Sequence, residues 1–209
     1  MSLQIRNDPF TQRLQQIGQW IAQGLLQPAA QALNEAQAQH PKDVRVALMG
    51  VRLAQQAGNL AGAVQAARRA VALEPGWFVA VTELALQLAA QGQFSEAMEH
   101  ARHAVALAPK EPRVLHSAAN VAQGAGDGKQ ALTWAQTALQ LDPQNHPLRL
   151  DYADMLYREQ QYKQAQDEYN RVLQAQPGDE TALKSLLTCA LQLDDQSEAQ
   201  RLADVLIIR

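Results

Sequence analysis

The chain has 209 residues, with 18 Lys or Arg against 21 Asp or Glu, which gives a formal net charge of −3. A hydrophobic content of 47% is too high for a disordered chain, and the mild acidity disfavours a nucleic-acid partner, which usually needs a basic face. The lone Cys189 cannot form an internal disulfide, and no apolar run reaches the length of a membrane span. The first residues lack the apolar segment of a signal peptide, so we expect a cytoplasmic protein.

Four series of residues recur along the chain at an interval of 34 positions. The first series is proline, at Pro41, Pro75, Pro109, Pro143 and Pro177. Two further series are small residues, at Ala29, Ala63, Ala97, Ala131, Ala165 and Ala199, and at Ala36, Ala70, Ala104 and Ala138, continued by Val172 and Leu206. The fourth is glycine, at Gly24, Gly58, Gly92 and Gly126, continued by Gln160 and Asp194. Four series in one register indicate an internal repeat.

Residues 78–111 show how one such repeat is expected to fold. Apolar residues spaced three and four apart, such as Val81, Leu84 and Leu88, predict a first helix with one buried face. Gly92 then suits the left-handed turn at a helix end, and Ser95 is expected to cap a second helix. Pro109 ends the unit, because proline cannot continue a helix. In other units the predicted helix caps are Asp43, Asn145 and Asp179.

This pattern resembles the tetratricopeptide repeat, a helix–turn–helix unit of 34 residues. The resemblance extends over residues 10–209, after a lead-in of residues 1–9, and divides them into units 10–43, 44–77, 78–111, 112–145, 146–179 and 180–209. The alanines, the turn glycine and the closing proline match the family. The family's early tryptophan and first-helix glycine are replaced, and its second-helix aromatic survives only as Tyr169.

The resemblance implies an all-α fold, a right-handed superhelical solenoid of antiparallel helix pairs. In that family the first helices line a concave groove that binds peptides or folded partners. We therefore expect a protein–protein interaction scaffold with a protein or peptide ligand, no catalysis of its own, and no cofactor, metal, nucleic acid or membrane as a partner.

The family's first-helix positions assign the groove residues of this chain. They are Thr11, Leu14, Gln15 and Gly18; Arg45, Leu48, Met49, Arg52 and Gln56; Val79, Thr82, Glu83 and Leu86; Arg113, His116, Ser117, Asn120 and Gln123; Leu150, Asp151, Asp154, Tyr157 and Arg158; and Lys184, Ser185 and Thr188. The ten expected partner contacts among them are Arg45, Leu48, Arg52, Leu86, Arg113, His116, Asn120, Asp154, Tyr157 and Arg158. The alternative is that they are solvated groove residues without a partner.

Two ligand modes known in the family do not fit these residues. Chaperone-binding members grip a carboxylate with basic and amide side chains, but after His116 and Asn120 the next unit presents Asp151. Transferase-linked members carry a ladder of asparagines, and here that column contains Met49, Glu83 and other side chains instead.

The last helix raises two alternatives to a simple scaffold. Its apolar residues Leu202, Val205, Leu206 and Ile208 have no following unit to cover them, so we expect them to serve self-association between copies. This predicts a homo-oligomer joined through the C-terminal helix, or a self-assembling scaffold. The other alternative is that the chain is the recognition arm of a larger enzyme, such as a transferase, whose catalytic domain lies outside these residues.

Three features that suggest chemistry do not satisfy its requirements. The glycine-rich stretch 124–130 lacks the spacing of a phosphate-binding loop, and Gln130 stands where Ser or Thr would be needed. His100 and His103 lie on a second helix, where a solvated face is expected rather than a metal site. Cys189 is expected to be a small buried residue without a histidine to activate it.

Overall fold

A computed structural model describes residues 8–207, which form twelve α-helices and no strand. The helices are α1 (Pro9–Ala22), α2 (Leu26–Gln39), α3 (Val44–Gln56), α4 (Leu60–Leu73), α5 (Phe78–Ala90), α6 (Phe94–Leu107), α7 (Pro112–Gly124), α8 (Gly128–Leu141), α9 (His146–Arg158), α10 (Tyr162–Ala175), α11 (Glu180–Gln192) and α12 (Gln196–Ile207). Five of the six ranges expected for a repeat contain one pair of these helices, and α1 of the first pair begins at Pro9, one residue before its range. None of the twelve has the length and apolar composition that crossing a membrane requires.

The chain divides into two compact units, residues 1–108 and 109–209. The N-terminal unit contains the pairs α1–α2, α3–α4 and α5–α6, and the C-terminal unit contains α7–α8, α9–α10 and α11–α12. Within each unit a helix packs against its own partner and against the following pair. Each unit is therefore an all-α stack of three antiparallel helix pairs.

The periodic alanines lie in the core, where the helices of each unit approach one another. Ala29, Ala63, Ala97, Ala131 and Ala165 have no exposed surface, and Ala199 is 6% exposed. In the second alanine series, Ala36, Ala70 and Ala138 are also fully buried. Because an alanine carries only a methyl group, two helices can pack closely at these positions, and the larger core residues fill the space on either side.

The helix caps follow the sequence in most units. Asp43, Asn145 and Asp179 cap α3, α9 and α11 as predicted, with each side chain accepting a backbone N–H of the first turn. The prediction for Ser95 was wrong, because the N-cap of α6 is Gln93, two residues earlier, and it makes no side-chain cap hydrogen bond. In the other units, Asn59 and Asp127 occupy the equivalent position and do cap their helices.

The turn inside each helix pair has the same backbone conformation whether or not it contains glycine. Gly24, Gly58, Gly92 and Gly126 have φ between 67° and 80°. Gln160 and Asp194, which continue the series, have φ of 60° and 56°. A side chain with a Cβ is strained in this left-handed region, so the last two pairs retain the turn at an energetic cost.

The C-terminal helix differs from the expectation of an uncovered apolar end. Leu202 has no exposed surface and belongs to the core of the C-terminal unit, and Val205 and Leu206 are partly buried against the same core. Ile207 is 80% exposed, and Ile208 lies outside the described residues. Leu202 is therefore not available to another copy, because it is buried in the core of its own unit.

Replacing Gln160 by glycine is expected to stabilise the protein. A left-handed residue with a Cβ costs about 1–2 kcal/mol, and the greater freedom of glycine in the unfolded chain offsets part of the gain. The net effect expected for Gln160→Gly is a rise of about 0.5–1 kcal/mol in the free energy of unfolding. Urea unfolding followed by circular dichroism measures it. The reverse change, Gly126→Gln, should lower stability by a similar amount, and a destabilised Gln160→Gly variant would contradict the prediction.

Candidate functional site

The N-terminal unit contains an open cleft of about 680 Å³ between α1 and α3, the first helices of two consecutive pairs. We call this the N-terminal cleft. Its lining residues come from one face of each helix, and they are Thr11, Leu14, Gln15, Gly18, Gln19, Ala22, Arg45, Leu48, Met49 and Arg52. Its volume lies within the range of about 300–1,000 Å³ that is usual for ligand-binding clefts.

The floor of the N-terminal cleft is apolar. Leu14 belongs to the core beneath it, and Leu48 and Met49 are partly buried along the α3 side. A Cβ atom at Gly18 would lie 3.7 Å from the Met49 Cε and 3.7 Å from the Arg52 Nη1. Both distances are ordinary van der Waals contacts, so the missing side chain leaves a space the size of one methyl group between the apolar floor and a guanidinium group.

Two arginines give the N-terminal cleft a positive edge. Arg45 is held in place, because its Nη2 donates to the Asp43 carboxylate at 2.7 Å, its Nη1 donates to the Thr11 hydroxyl at 3.2 Å, and its guanidinium lies 5.2 Å from the centre of the Phe10 ring. The hydrogen bond from Arg45 holds the pKa of Asp43 below its ordinary value. Arg52 is exposed, and no carboxylate among residues 8–207 forms an ion pair with it.

In the next pair, a partly buried carboxylate occupies the repeat column of Gln15 and Met49. Glu83 of α5 accepts hydrogen bonds from the side-chain amides of Gln87, at 2.8 Å, and Gln55, at 3.2 Å. Burial raises the pKa of Glu83 above its ordinary value, and the two amide hydrogen bonds offset only part of that effect. The Glu83 carboxylate is thus stabilised by hydrogen bonds from two amides, and no cation among residues 8–207 forms an ion pair with it.

The C-terminal unit has a cleft of about 470 Å³ lined mainly by residues of α8, α9 and α10, and a smaller one of about 280 Å³ between its first helices α7 and α9. We call the one between α7 and α9 the C-terminal cleft. It is lined by Asn120, Gln123, Gly124, Asp151, Asp154, Met155 and Arg158. Its acidic residues differ in their contacts: Asp151 lies 2.6 Å from the Nε2 of His116, whereas Asp154 accepts a hydrogen bond from the Tyr169 hydroxyl of α10.

Tyr169 is a core residue that contacts the C-terminal cleft through Asp154. It is 1% exposed, and burial, followed by the hydrogen bond to Asp154, raises the pKa of its hydroxyl, which therefore stays protonated at neutral pH. Tyr169 is the one second-helix aromatic of the family pattern that the sequence retained, and its contact with Asp154 links the core directly to a residue of the cleft.

Only some of the ten predicted contact residues line one of the two clefts. Arg45, Leu48 and Arg52 line the N-terminal cleft, and Asn120, Asp154 and Arg158 line the C-terminal cleft. His116 lies beside the latter through its contact with Asp151. The three others line neither cleft: Leu86 is partly buried in α5, Arg113 is exposed on α7, and Tyr157 packs edge-on against Tyr162 with ring centres 5.2 Å apart.

Four lining residues were not among the groove positions assigned from the sequence, namely Gln19, Ala22, Gly124 and Met155. For two of them, the spacing of the repeat in the sequence did indicate a groove position. Ala22 and Gly124 occupy the same column of the 34-residue repeat as Gln56 and Arg158, which had been assigned to the groove. Gln19 and Met155 belong to a further column of the repeat, one residue beyond Gly18 and Asp154. No groove position had been assigned in that column, so the sequence did not indicate these two residues.

The described residues offer binding surfaces and no recognisable reactive centre. Residues 8–207 contain no group of three or more His, Cys, Asp or Glu side chains arranged to hold a metal ion. Cys189 is fully buried, and burial raises the pKa of its thiol to about 11, so the nucleophilic thiolate is scarce at neutral pH.

The comparison with known families identifies the repeat. Residues 122–189 match the tetratricopeptide repeat family, and their register is the one that the alanines and turns follow throughout the chain. Residues 122–189 are therefore tetratricopeptide repeats. No curated protein sequence matches it.

Solved structures of other tetratricopeptide-like proteins show the same fold. PilF of Pseudomonas aeruginosa is 21% identical with a TM-score of 0.76, over 92% of this chain and 88% of that one. PilW, a widely conserved type IV pilus biogenesis factor, is 16% identical with a TM-score of 0.86, over 96% and 93% of the two chains. YrrB, a tetratricopeptide-repeat protein with an unusual peptide-binding site, is 17% identical with a TM-score of 0.64, over 83% and 89%.

The raised pKa of Glu83 predicts how its replacement changes stability with pH. Since the folded protein holds this proton to a higher pH than the unfolded chain does, stability from this group falls as pH rises between the two pKa values. Glu83→Gln keeps an acceptor oxygen for Gln55 and Gln87 but removes the charge. The variant should therefore be more stable than the parent at pH 7, and this advantage should disappear as the pH falls below the pKa of an unfolded glutamate.

Thermal unfolding of both proteins between about pH 4 and pH 8 measures this difference. Glu99→Gln, which removes the same charge from an exposed position of α6, is the matched control. A Glu83→Gln variant that is less stable than the parent at pH 7 would show that the carboxylate is favourable in the fold.

Proposed function

We propose that the chain is a non-catalytic interaction scaffold that binds a protein partner by holding a peptide segment of it against the first helices of its pairs. The observation that carries this proposal is the position of the two clefts. In each unit a cleft opens between the first helices of consecutive pairs, α1 and α3 in one and α7 and α9 in the other.

The lining of the clefts supports binding in preference to catalysis. The N-terminal cleft combines an apolar floor with arginines, a combination that recurs at the energetically important positions of protein interfaces. The tetratricopeptide repeat also supports a scaffold, and YrrB is a structural neighbour described as having a peptide-binding site. PilF and PilW are only 21% and 16% identical to this chain, which indicates a shared fold and no more, so no role in pilus biogenesis is proposed.

Self-association through α12 receives less support from the structure than from the sequence. Leu202 is fully buried in its own unit, and Val205 and Leu206 pack partly against the same core. Among the described residues, the apolar surface that α12 retains for another copy consists of Ile207 and the exposed parts of Val205 and Leu206. We therefore propose a partner of different sequence and not a second copy of this chain.

Site-specific photo-crosslinking in the source cell tests the proposal. A photoreactive phenylalanine derivative is placed at Gln15 and at Asn120, which line the two clefts, and, as controls, at Gln65 and Thr133 on the second helices α4 and α8. All four side chains are exposed, so the comparison depends on position alone.

The expected result is a crosslinked protein partner from one or both cleft positions and none from α4 or α8. Mass spectrometry of the crosslinked peptide should map one short segment of the partner. Crosslinks that form only from the second helices, or from no position at all, would refute binding at the first helices.

A further inference from the structure

We propose that the N-terminal cleft recognises a peptide segment in which an aliphatic side chain lies within a few residues of a carboxylate. The inference rests on the proposed function and specifies its ligand. The aliphatic side chain would occupy the space beside Gly18, above Leu14 and Met49, and the carboxylate would pair with Arg52.

The space beside Gly18 is a feature of this cleft and not of the repeat. At the equivalent positions the other pairs carry Arg52, Leu86, Asn120, Asp154 and Thr188, so α1 has the only glycine in this column. Neither a left-handed backbone nor a close contact requires glycine there, since Gly18 is not among the positive-φ residues and a Cβ would meet its neighbours at ordinary distances. Glycine inside a helix is unfavourable, and its effect at this position is to open the cleft.

The surface around this space favours an aliphatic ligand group. Leu14, Leu48 and Met49 form the floor and one side, and Ala22 extends the floor one helical turn beyond Gly18. An aliphatic side chain placed here would leave water for an apolar surface, which is the main favourable contribution to such binding. The methionine adds a flexible side chain that adapts to the shape of its ligand.

The charges around the N-terminal cleft select an acidic ligand. Its lining includes Arg45 and Arg52 and no carboxylate. Asp43 already pairs with Arg45, whereas Arg52 forms no ion pair within residues 8–207, so its guanidinium is available to a carboxylate of the ligand. The C-terminal cleft presents Asp151 and Asp154 beside Arg158, so its lining carries more acidic than basic side chains and is less suited to the same peptide.

The distances limit how far apart the two ligand groups can be. The Arg52 Nη1 lies 3.7 Å from the Cβ position at Gly18, so the apolar space and the cationic group adjoin each other. Because an extended chain advances about 3.3–3.6 Å per residue, the aliphatic residue and the carboxylate should be separated by at most about three positions in the peptide.

A peptide-display experiment on the full chain tests this inference. A random library of twelve-residue peptides is selected on the parent protein, on Gly18→Leu, which fills the space, and on Arg52→Gln, which removes the charge. The matched controls are Ala61→Leu on α4 and Arg102→Gln on α6, which make the same kinds of change at exposed positions of second helices. Circular dichroism and melting temperatures establish that each variant is folded.

The expected selection on the parent protein enriches Leu, Ile or Met within three positions of Asp or Glu. Synthetic copies of these peptides should bind Gly18→Leu at least about tenfold more weakly and Arg52→Gln about three- to tenfold more weakly, with both controls unchanged. Changing the peptide carboxylate to its amide should weaken binding to the parent but not further weaken binding to Arg52→Gln. If Gly18→Leu is unfolded, Gly18→Ala replaces it and should reduce affinity by a smaller factor.

Other outcomes separate this inference from the proposed function. Selected peptides that bind the two cleft variants as tightly as the parent, and lose affinity instead when Asn120 is changed to leucine, would overturn the inference and leave peptide binding at the first helices intact. Selected peptides that lack acidic residues would overturn the choice of ligand. A library that yields no binder would also overturn the inference, while the crosslinks from Gln15 and Asn120 would decide the proposed function independently.

Discussion

The close approach of paired helices at buried alanines is the constraint on which the rest of the structure depends. Ala63 and Ala97, for example, are fully buried at the same position of two successive pairs, where a larger side chain would force the helices apart. Because a single pair cannot bury its own apolar face, each pair also requires its neighbour, and the spacing of 34 residues follows from repeating this contact. The identical turn at Gly126 and Gln160 shows that the packing imposes the backbone even where the local sequence disfavours it.

The same packing explains why the two clefts have similar positions and different chemistry. Side chains at equivalent positions of consecutive first helices point to the same side, so columns of the repeat become the lining of a cleft. The helix packing determines where a cleft forms, while the residues in the columns determine what it can bind. Leu14, Met49 and Arg52 make one cleft apolar with a positive edge. Asn120 and Asp154 make the other cleft polar, and Tyr169 links Asp154 to the core through a hydrogen bond.

The sequence predicted the helix pairs more accurately than their surfaces, and particular residues show why. Asp43 and Asn145 were correctly predicted as caps because capping depends on local hydrogen bonds. Ser95 was predicted wrongly because helix boundaries shift by a residue or two with little local cost. The groove positions Arg45 and Arg52 do line a cleft, but Leu86, Arg113 and Tyr157 line neither, since exposure and neighbouring side chains decide this and periodicity does not.

Read without coordinates, the sequence determined the number of helix pairs, their order, the buried alanine columns and the family. These features follow from spacing, residue size and backbone preference, which are properties of a residue and its neighbours along the chain. The tertiary structure alone decided that Leu202 belongs to the core, that Glu83 is held between two glutamine amides, and that the space left by Gly18 adjoins Arg52. Burial, pKa and the lining of a cleft depend on contacts between side chains of different helices, and only the packed structure determines which side chains make these contacts.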